Sequence, residues 1–202
     1  MRKFYLDSAL YFRMPPVRDK ISALITIINT VKYILIGEAK PTRKQASDVQ
    51  IILCDSKRMK RIFYCVENKY ISMSFPFNHI NNKFYFKEVY VDNEVISHIN
   101  SFLTCEQVST SCDLSLDVLL GDDNLVVRQD VFFIFIGLLM FEDGYIRYDY
   151  DPKHENKFSH PVNHLDINYS TPATFKLGLK TSFFCTDFIG MLDNQKTRKI
   201  II

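Results

Sequence analysis

Two short stretches of this chain alternate charged or polar side chains with apolar ones. The first is Tyr145-Ile146-Arg147-Tyr148-Asp149-Tyr150-Asp151, and the second is His160-Pro161-Val162-Asn163-His164-Leu165-Asp166-Ile167-Asn168. Successive side chains of a strand point to opposite faces, so Arg147, Asp149 and Asp151 share one face and Ile146, Tyr148 and Tyr150 the other. In the second stretch His164, Asp166 and Asn168 fall together, opposite Leu165, Ile167 and Tyr169. Pairing of the two strands would gather an arginine, carboxylates and a histidine on one sheet face. Those residue types suit work on a phosphodiester: an arginine fork matches phosphate oxygens, and a histidine beside a carboxylate transfers protons. The candidate catalytic residues are therefore His164, Asp149 and Asp166, and the candidate phosphate-binding residues are Arg147 and Lys176. The same charges also fit a purely structural lattice of cross-strand ion pairs.

A divalent metal is a further option for this set. In an extended strand His160 and His164 would lie about 13 Å apart, too far to share an ion, whereas His164 and Asp166 would be about 6 to 7 Å apart at Cα, with Asp149 joining from the partner strand. A histidine with carboxylates suits a transition metal or magnesium. Other chemistries have less to stand on. The five cysteines, Cys54, Cys65, Cys105, Cys112 and Cys185, are widely spaced with no C-x-x-C pair, and read as free thiols rather than a disulfide framework or a thiolate zinc site. Six glycines and no Gly-rich phosphate loop argue against a P-loop or Rossmann nucleotide enzyme.

The elements that must carry these residues follow from periodicity. Ile21, Leu24, Ile25, Ile28, Val31 and Leu35 recur at helical spacing after Pro16, predicting a helix over 17–35, although the β-branched content also fits a strand. Residues 38–48 read as a polar connector. Runs at 49–54, 61–66, 70–75 and 83–89 read as strands of an antiparallel meander, and 93–103 as an amphipathic helix. Residues 104–123 carry no clear pattern. The apolar run 131–141 fits a buried helix or a buried strand, its length favouring the helix, and falls short of the roughly 20 residues that span a bilayer. A turn at Glu142-Asp143-Gly144 leads into the charged strand, 151–159 is a polar loop, 174–179 a further strand, and Phe183, Phe184, Phe188, Ile189 and Leu192 one side of a final helix. The expected fold is α+β: a largely antiparallel sheet flanked by helices, one domain over 1–202, with an N-terminal helical segment at about 1–45 and an α+β body at about 46–195.

Composition bounds the partners. At 202 residues, 47% hydrophobic and 14% aromatic, the chain can bury a sizeable core. A balance of 25 Lys+Arg against 23 Asp+Glu, net +2, does not by itself mark a nucleic-acid binder. Two local basic clusters, Lys57-Arg58 with Lys60-Arg61 and Lys196 with Arg198-Lys199, offer backbone contacts or are solvated turns and tails. The start, Met1-Arg2-Lys3-Phe4-Tyr5-Leu6-Asp7, lacks the apolar core of a secretory signal, so a cytoplasmic location and no membrane partner are expected.

The order Ile146-Arg147-Tyr148-Asp149-Tyr150-Asp151, then His160-Pro161-Val162-Asn163-His164-Leu165, then a short strand and a Phe-rich helix, resembles an uncharacterised bacterial domain family of unknown function. That family has an R-x-D-x-D strand, an H-P-x-x-H-L segment, a basic residue on the next strand and a closing aromatic helix. Tyr70-Ile71-Ser72-Met73-Ser74-Phe75-Pro76 resembles its mid-domain strand. The chain departs from the family pattern at Asp166 and Asn168, where the pattern has Thr and Gly, and at Lys176, where it has Arg, so the resemblance does not extend to a role for Asp166. It implies cargo of bacterial defence or mobile-element loci, and no established activity. The combined expectation is an antiviral-defence or mobile-element protein acting on nucleic acid or a nucleotide, by phosphodiester hydrolysis, with a divalent metal as the one cofactor to consider. The alternative is a non-catalytic subunit or adaptor that binds a protein partner from the same locus.

Overall fold

The computed structural model describes residues 1–57, 59–104, 129–156, 158–167 and 175–193. The protein is α+β, and its chain divides into two compact units. The first comprises Met1–Arg13, Glu38–Phe75 and Glu142–Ile202; the second comprises Met14–Gly37 and Pro76–Phe141.

The first unit is built on a seven-stranded antiparallel sheet, in the order β1 (Arg2–Leu6), β2 (Val49–Asp55), β3 (Lys60–Val66), β4 (Lys69–Ser74), β8 (Ile146–Tyr150), β9 (Asn163–Ile167), β10 (Phe175–Gly178). The β-branched and aromatic runs predicted at 49–54, 61–66 and 70–75 become β2, β3 and β4, joined by tight turns. Glu67 takes φ 38° in the β3–β4 turn. At the start of the chain, β1 was not singled out from the sequence. It pairs with β2, and Tyr5 further exchanges backbone hydrogen bonds of 2.6 and 2.9 Å with Lys40, which fastens the polar connector 38–48 to the sheet edge. Helix α1 (Ser8–Phe12) is started by Asp7, whose carboxylate accepts from the Ala9 N–H at 2.7 Å.

One face of this sheet carries an apolar core of Ile52, Phe63, Tyr148 and Leu165, closed by Phe188 and Ile189 of the C-terminal helix α5 (Cys185–Leu192). Tyr148 stacks between Tyr70 and Phe183, with ring centroids 5.3 and 5.6 Å away. Cys65 on β3 and Cys185 at the start of α5 are joined by a disulfide, with Cα atoms 6.2 Å apart. This corrects the expectation of free thiols for that pair: the partners are 120 residues apart in sequence, and no spacing pattern announces such a bond. Cys54 remains a buried free thiol.

The second unit holds α2 (Lys20–Leu35), α3 (Asn93–Thr104), α4 (Gln129–Leu139) and a three-stranded antiparallel sheet of β5 (Asn78–Ile80), β6 (Lys83–Phe86) and β7 (Val89–Val91). Helix α2 opens with a reciprocal cap: the Asp19 carboxylate accepts from Ser22 N–H at 2.7 Å, and the Ser22 hydroxyl accepts from Asp19 N–H at 3.0 Å. The run predicted as one strand at 83–89 is two, because the chain reverses at Lys87 in the left-handed region, φ 52°. The apolar run 131–141 is a helix, and its Gly137 admits Phe86: a Cβ there would lie 2.5 Å from the ring. No helix among the described residues is long and apolar enough to cross a membrane.

Candidate functional site

Register places the charged residues in two rows across the second face of the seven-stranded sheet. One row reads Phe4, Ile51, Tyr64, Ile71, Arg147, Asp166, Lys176 from β1 to β10. The other contains Val66, Lys69, Asp149, His164 and Gly178. The β1–β4 half of this face is therefore largely apolar, and Tyr11 of α1 packs on Tyr64 there, with centroids 5.8 Å apart. The β8–β10 half is ionic. All five residues singled out from the sequence, Arg147, Asp149, His164, Asp166 and Lys176, lie on it side by side.

Their contacts form a closed network. Arg147 donates from Nε to Asp149 Oδ2 at 2.6 Å, from Nη1 to the Tyr145 hydroxyl at 3.1 Å, and from Nη2 to Asp166 Oδ2. Lys176 Nζ donates to Asp166 Oδ1 at 2.8 Å and lies 3.0 Å from His164 Nε2. The other ring nitrogen of His164, Nδ1, is 2.7 Å from the Pro161 carbonyl. A carbonyl only accepts, so the proton is assigned to Nδ1 and Nε2 is left as an acceptor for the Lys176 ammonium. Burial holds the His164 pKa below the ordinary imidazole value, with Lys176 acting in the same direction against the Pro161 hydrogen bond and the two aspartates. Burial also works against the charge on Arg147, but Tyr145, Asp149 and Asp166 outweigh it and raise its pKa. The hydroxyls of Tyr145 and Tyr11 are pushed upward, chiefly by burial.

Accessibility is divided by charge. The side chain of His164 is fully buried and those of Asp149 and Asp166 are 8% and 5% exposed, while Arg147, Lys176 and Lys69 are 25%, 27% and 51% exposed. Acceptors lie beneath and cations above. Within the buried layer, His164 Nε2 is 3.6 Å from Asp149 Oδ2 and 3.9 Å from Asp166 Oδ1, and the three side chains each offer a metal-ligating atom within 4.8 Å of the others. Asp149 Oδ1 accepts no hydrogen bond, the nearest cation being Lys69 Nζ at 3.4 Å.

No family model, curated protein or solved structure matches this chain.

Several sequence expectations need amendment. The stretch 160–168 is not one extended strand: β9 begins at Asn163, and the turn through Pro161 brings the His160 ring to 4.6 Å, centroid to centroid, from that of His164. The two rings are therefore neighbours, and distance does not separate His160 from His164 as the extended-chain reading expected. His160 is nonetheless directed elsewhere, its Nε2 lying 3.4 Å from Asp151 Oδ2. Asp151, expected beside Asp149, lies beyond the end of β8 and engages His154 Nδ1 at 2.9 Å. That hydrogen bond holds its carboxyl below the usual range. Asn168 and Tyr169 lie outside the described residues. Lys69 and Tyr145 belong to the site and were not foreseen. Tyr145 is in phase with Arg147, two positions away; Lys69 has no local signal, since only the β4–β8 pairing brings it to Asp149.

Of the basic clusters, Arg61 lies on the opposite face, in phase with Phe63. The guanidinium of Arg61 turns to the Ser72 hydroxyl at 2.8 Å and to the Gly144 carbonyl, and Arg58 and residues 196–199 lie outside the described residues. A cavity of about 60 Å³ lined by Tyr5, Asp7, Lys40 and Asp48 is far smaller than the roughly 300 Å³ that small-molecule sites begin at.

Proposed function

We propose that this protein acts on nucleic acid or a nucleotide at the β8–β10 face, cleaving a phosphodiester. The supporting observation is the layering of charge: Arg147, Lys176 and Lys69 are the accessible members, and a neutral imidazole and two carboxylates lie beneath them. Three cations over two carboxylates leave an anion-facing surface. In this reading Arg147 and Lys176 hold phosphate oxygens, His164 Nε2 takes or gives the proton, and Asp149 and Asp166 orient the cations and the imidazole. The resemblance of the 146–165 segment to an uncharacterised bacterial family supplies the proposed setting, a cytoplasmic defence or mobile-element protein.

A second reading is favoured by the closure of the network. Every guanidinium nitrogen of Arg147 already has an acceptor, as expected of a structural lattice in a non-catalytic subunit that binds a partner protein. Lys176 separates the two readings, because it is partly exposed and its removal leaves Arg147 still bridging both aspartates. The experiment is fluorescence anisotropy and product analysis with single- and double-stranded DNA, RNA and nucleotides at low and moderate salt, for the wild type and Lys176→Met. The hydrolytic reading expects salt-sensitive binding and cleavage by the wild type, both reduced at least about tenfold in the variant with its melting temperature little changed. Absence of binding and cleavage across the panel in the wild type would sink it.

A further inference from the structure

We infer that Asp149, His164 and Asp166 form a divalent transition-metal site whose ligands are held by the Lys176 ammonium when no ion is bound. The three side chains each offer a ligating atom within 4.8 Å of the others, and both pairs that involve His164 are closer than that. Two ligand atoms sharing an ion at about 2.1 Å can be no more than about 4.2 Å apart, and His164 Nε2 is 3.6 Å from Asp149 Oδ2 and 3.9 Å from Asp166 Oδ1. The outer partners of such a site are already in place. His164 Nδ1 donates to the Pro161 carbonyl, which fixes the tautomer that presents Nε2 as a ligand. Arg147 takes Asp166 Oδ2, which leaves Oδ1 to Lys176, while Asp149 Oδ2, the atom 3.6 Å from His164 Nε2, is shared with Arg147 Nε. Asp149 Oδ1 is buried and accepts no hydrogen bond, and Asp166 Oδ1 is bonded to Lys176.

Lys176 Nζ thus bridges two of the three prospective ligands, 2.8 Å from Asp166 Oδ1 and 3.0 Å from His164 Nε2. An ammonium with these partners stands in for a cation. It is also the member of the network that can leave, because its four-carbon stem is flexible and the side chain is partly exposed. One imidazole and two carboxylates suit zinc or manganese, with open positions for water or substrate. Metal and lysine then compete, so the wild type binds weakly and binding strengthens when the ammonium is removed.

The inference does not depend on phosphodiester cleavage, because metal binding is read with no substrate present. Chelator-treated wild type, Lys176→Met and Lys176→Met with His164→Gln are titrated with Zn²⁺ and with Mn²⁺ by calorimetry. The expected result is binding at least about tenfold tighter in Lys176→Met than in the wild type, and loss of that gain in the double variant. Equal affinity in the wild type and Lys176→Met, or a gain that survives His164→Gln, would overturn it. Should Lys176→Met fail to fold, the wild-type imidazole ¹⁵N resonances decide: displacement of those of His164 at high Zn²⁺ supports the site, and their constancy overturns it.

Discussion

His164 accepts from an ammonium at 3.0 Å and has no exposed surface, so its protonation would place two cations in contact in a buried setting. Its folded pKa lies below its ordinary value, and the sign of the pH effect follows. Above about pH 6.5 the imidazole is neutral in both folded and unfolded chains and pH has no leverage through it. As pH falls below that, the unfolded chain takes up a proton that the folded one resists, and stability declines. Urea unfolding between pH 8 and pH 5 is expected to show this decline in the wild type and a shallower one in His164→Gln; identical slopes would remove His164 as the source. Arg147 teaches a different lesson. Its loss would leave two buried carboxylates with one cation each, Lys176 on Asp166 and Lys69 near Asp149, a costlier event than losing an exposed ion pair. Inactivity of an Arg147, Asp149 or His164 variant therefore says little about catalysis, and Lys176 is the residue on which function and folding come apart.

Helix α5 closes the core face of the sheet, and the Cys65–Cys185 bond fastens its first residue to β3. A crosslink across 120 residues limits the unfolded chain strongly, worth about 2–4 kcal/mol in typical cases. Dithiothreitol is expected to lower the urea midpoint of the wild type and to leave Cys65→Ser with Cys185→Ser unchanged; a wild-type midpoint indifferent to reductant would show that the bond contributes nothing. How much of this architecture could be seen in the sequence depended on how local its cause is. The period-two alternation of 146–150 and 163–167 is set by the pleat itself, so the shared face of Arg147, Asp149, His164 and Asp166 was legible before any coordinates. The division of 83–89 at Lys87 was not, because a lysine in the left-handed region carries no turn signature. Nor was the approach of His160 to His164, where a turn at Pro161 replaces the extended chain that alternation implied. Short β1 is a strand because β2 offers it an edge, which five residues cannot announce.

The chain leaves the sheet after β4 and returns at β8, and these two strands are neighbours, with Ser72 opposite Ile146 and the Ser74 N–H donating to Asp143 at 2.6 Å. It also leaves after α1 and returns at Lys40, beside Tyr5. The second unit therefore consists of two excursions from the frame, and the exit and entry points of the longer one, at Ser74 and Asp143, are hydrogen-bonded to each other. Lys69, across the sheet from Asp149, is thus supplied by a part of the chain remote from the rest of the site. In folding time this orders events. Turns can close the β2–β3–β4 meander and the β8–β9 pair early, each over a short loop, but the seam between β4 and β8 must close over some seventy residues and pays the greater chain entropy. Pulsed hydrogen exchange during refolding is expected to protect the amides of β2 and β3 before those along the seam, and simultaneous protection would refute that order. Until the seam closes, Asp149 and Arg147 stand at an open edge in water, and the burial that lowers the His164 pKa is incomplete. The lowered proton affinity of His164 is accordingly a property expected to appear only when that seam has closed.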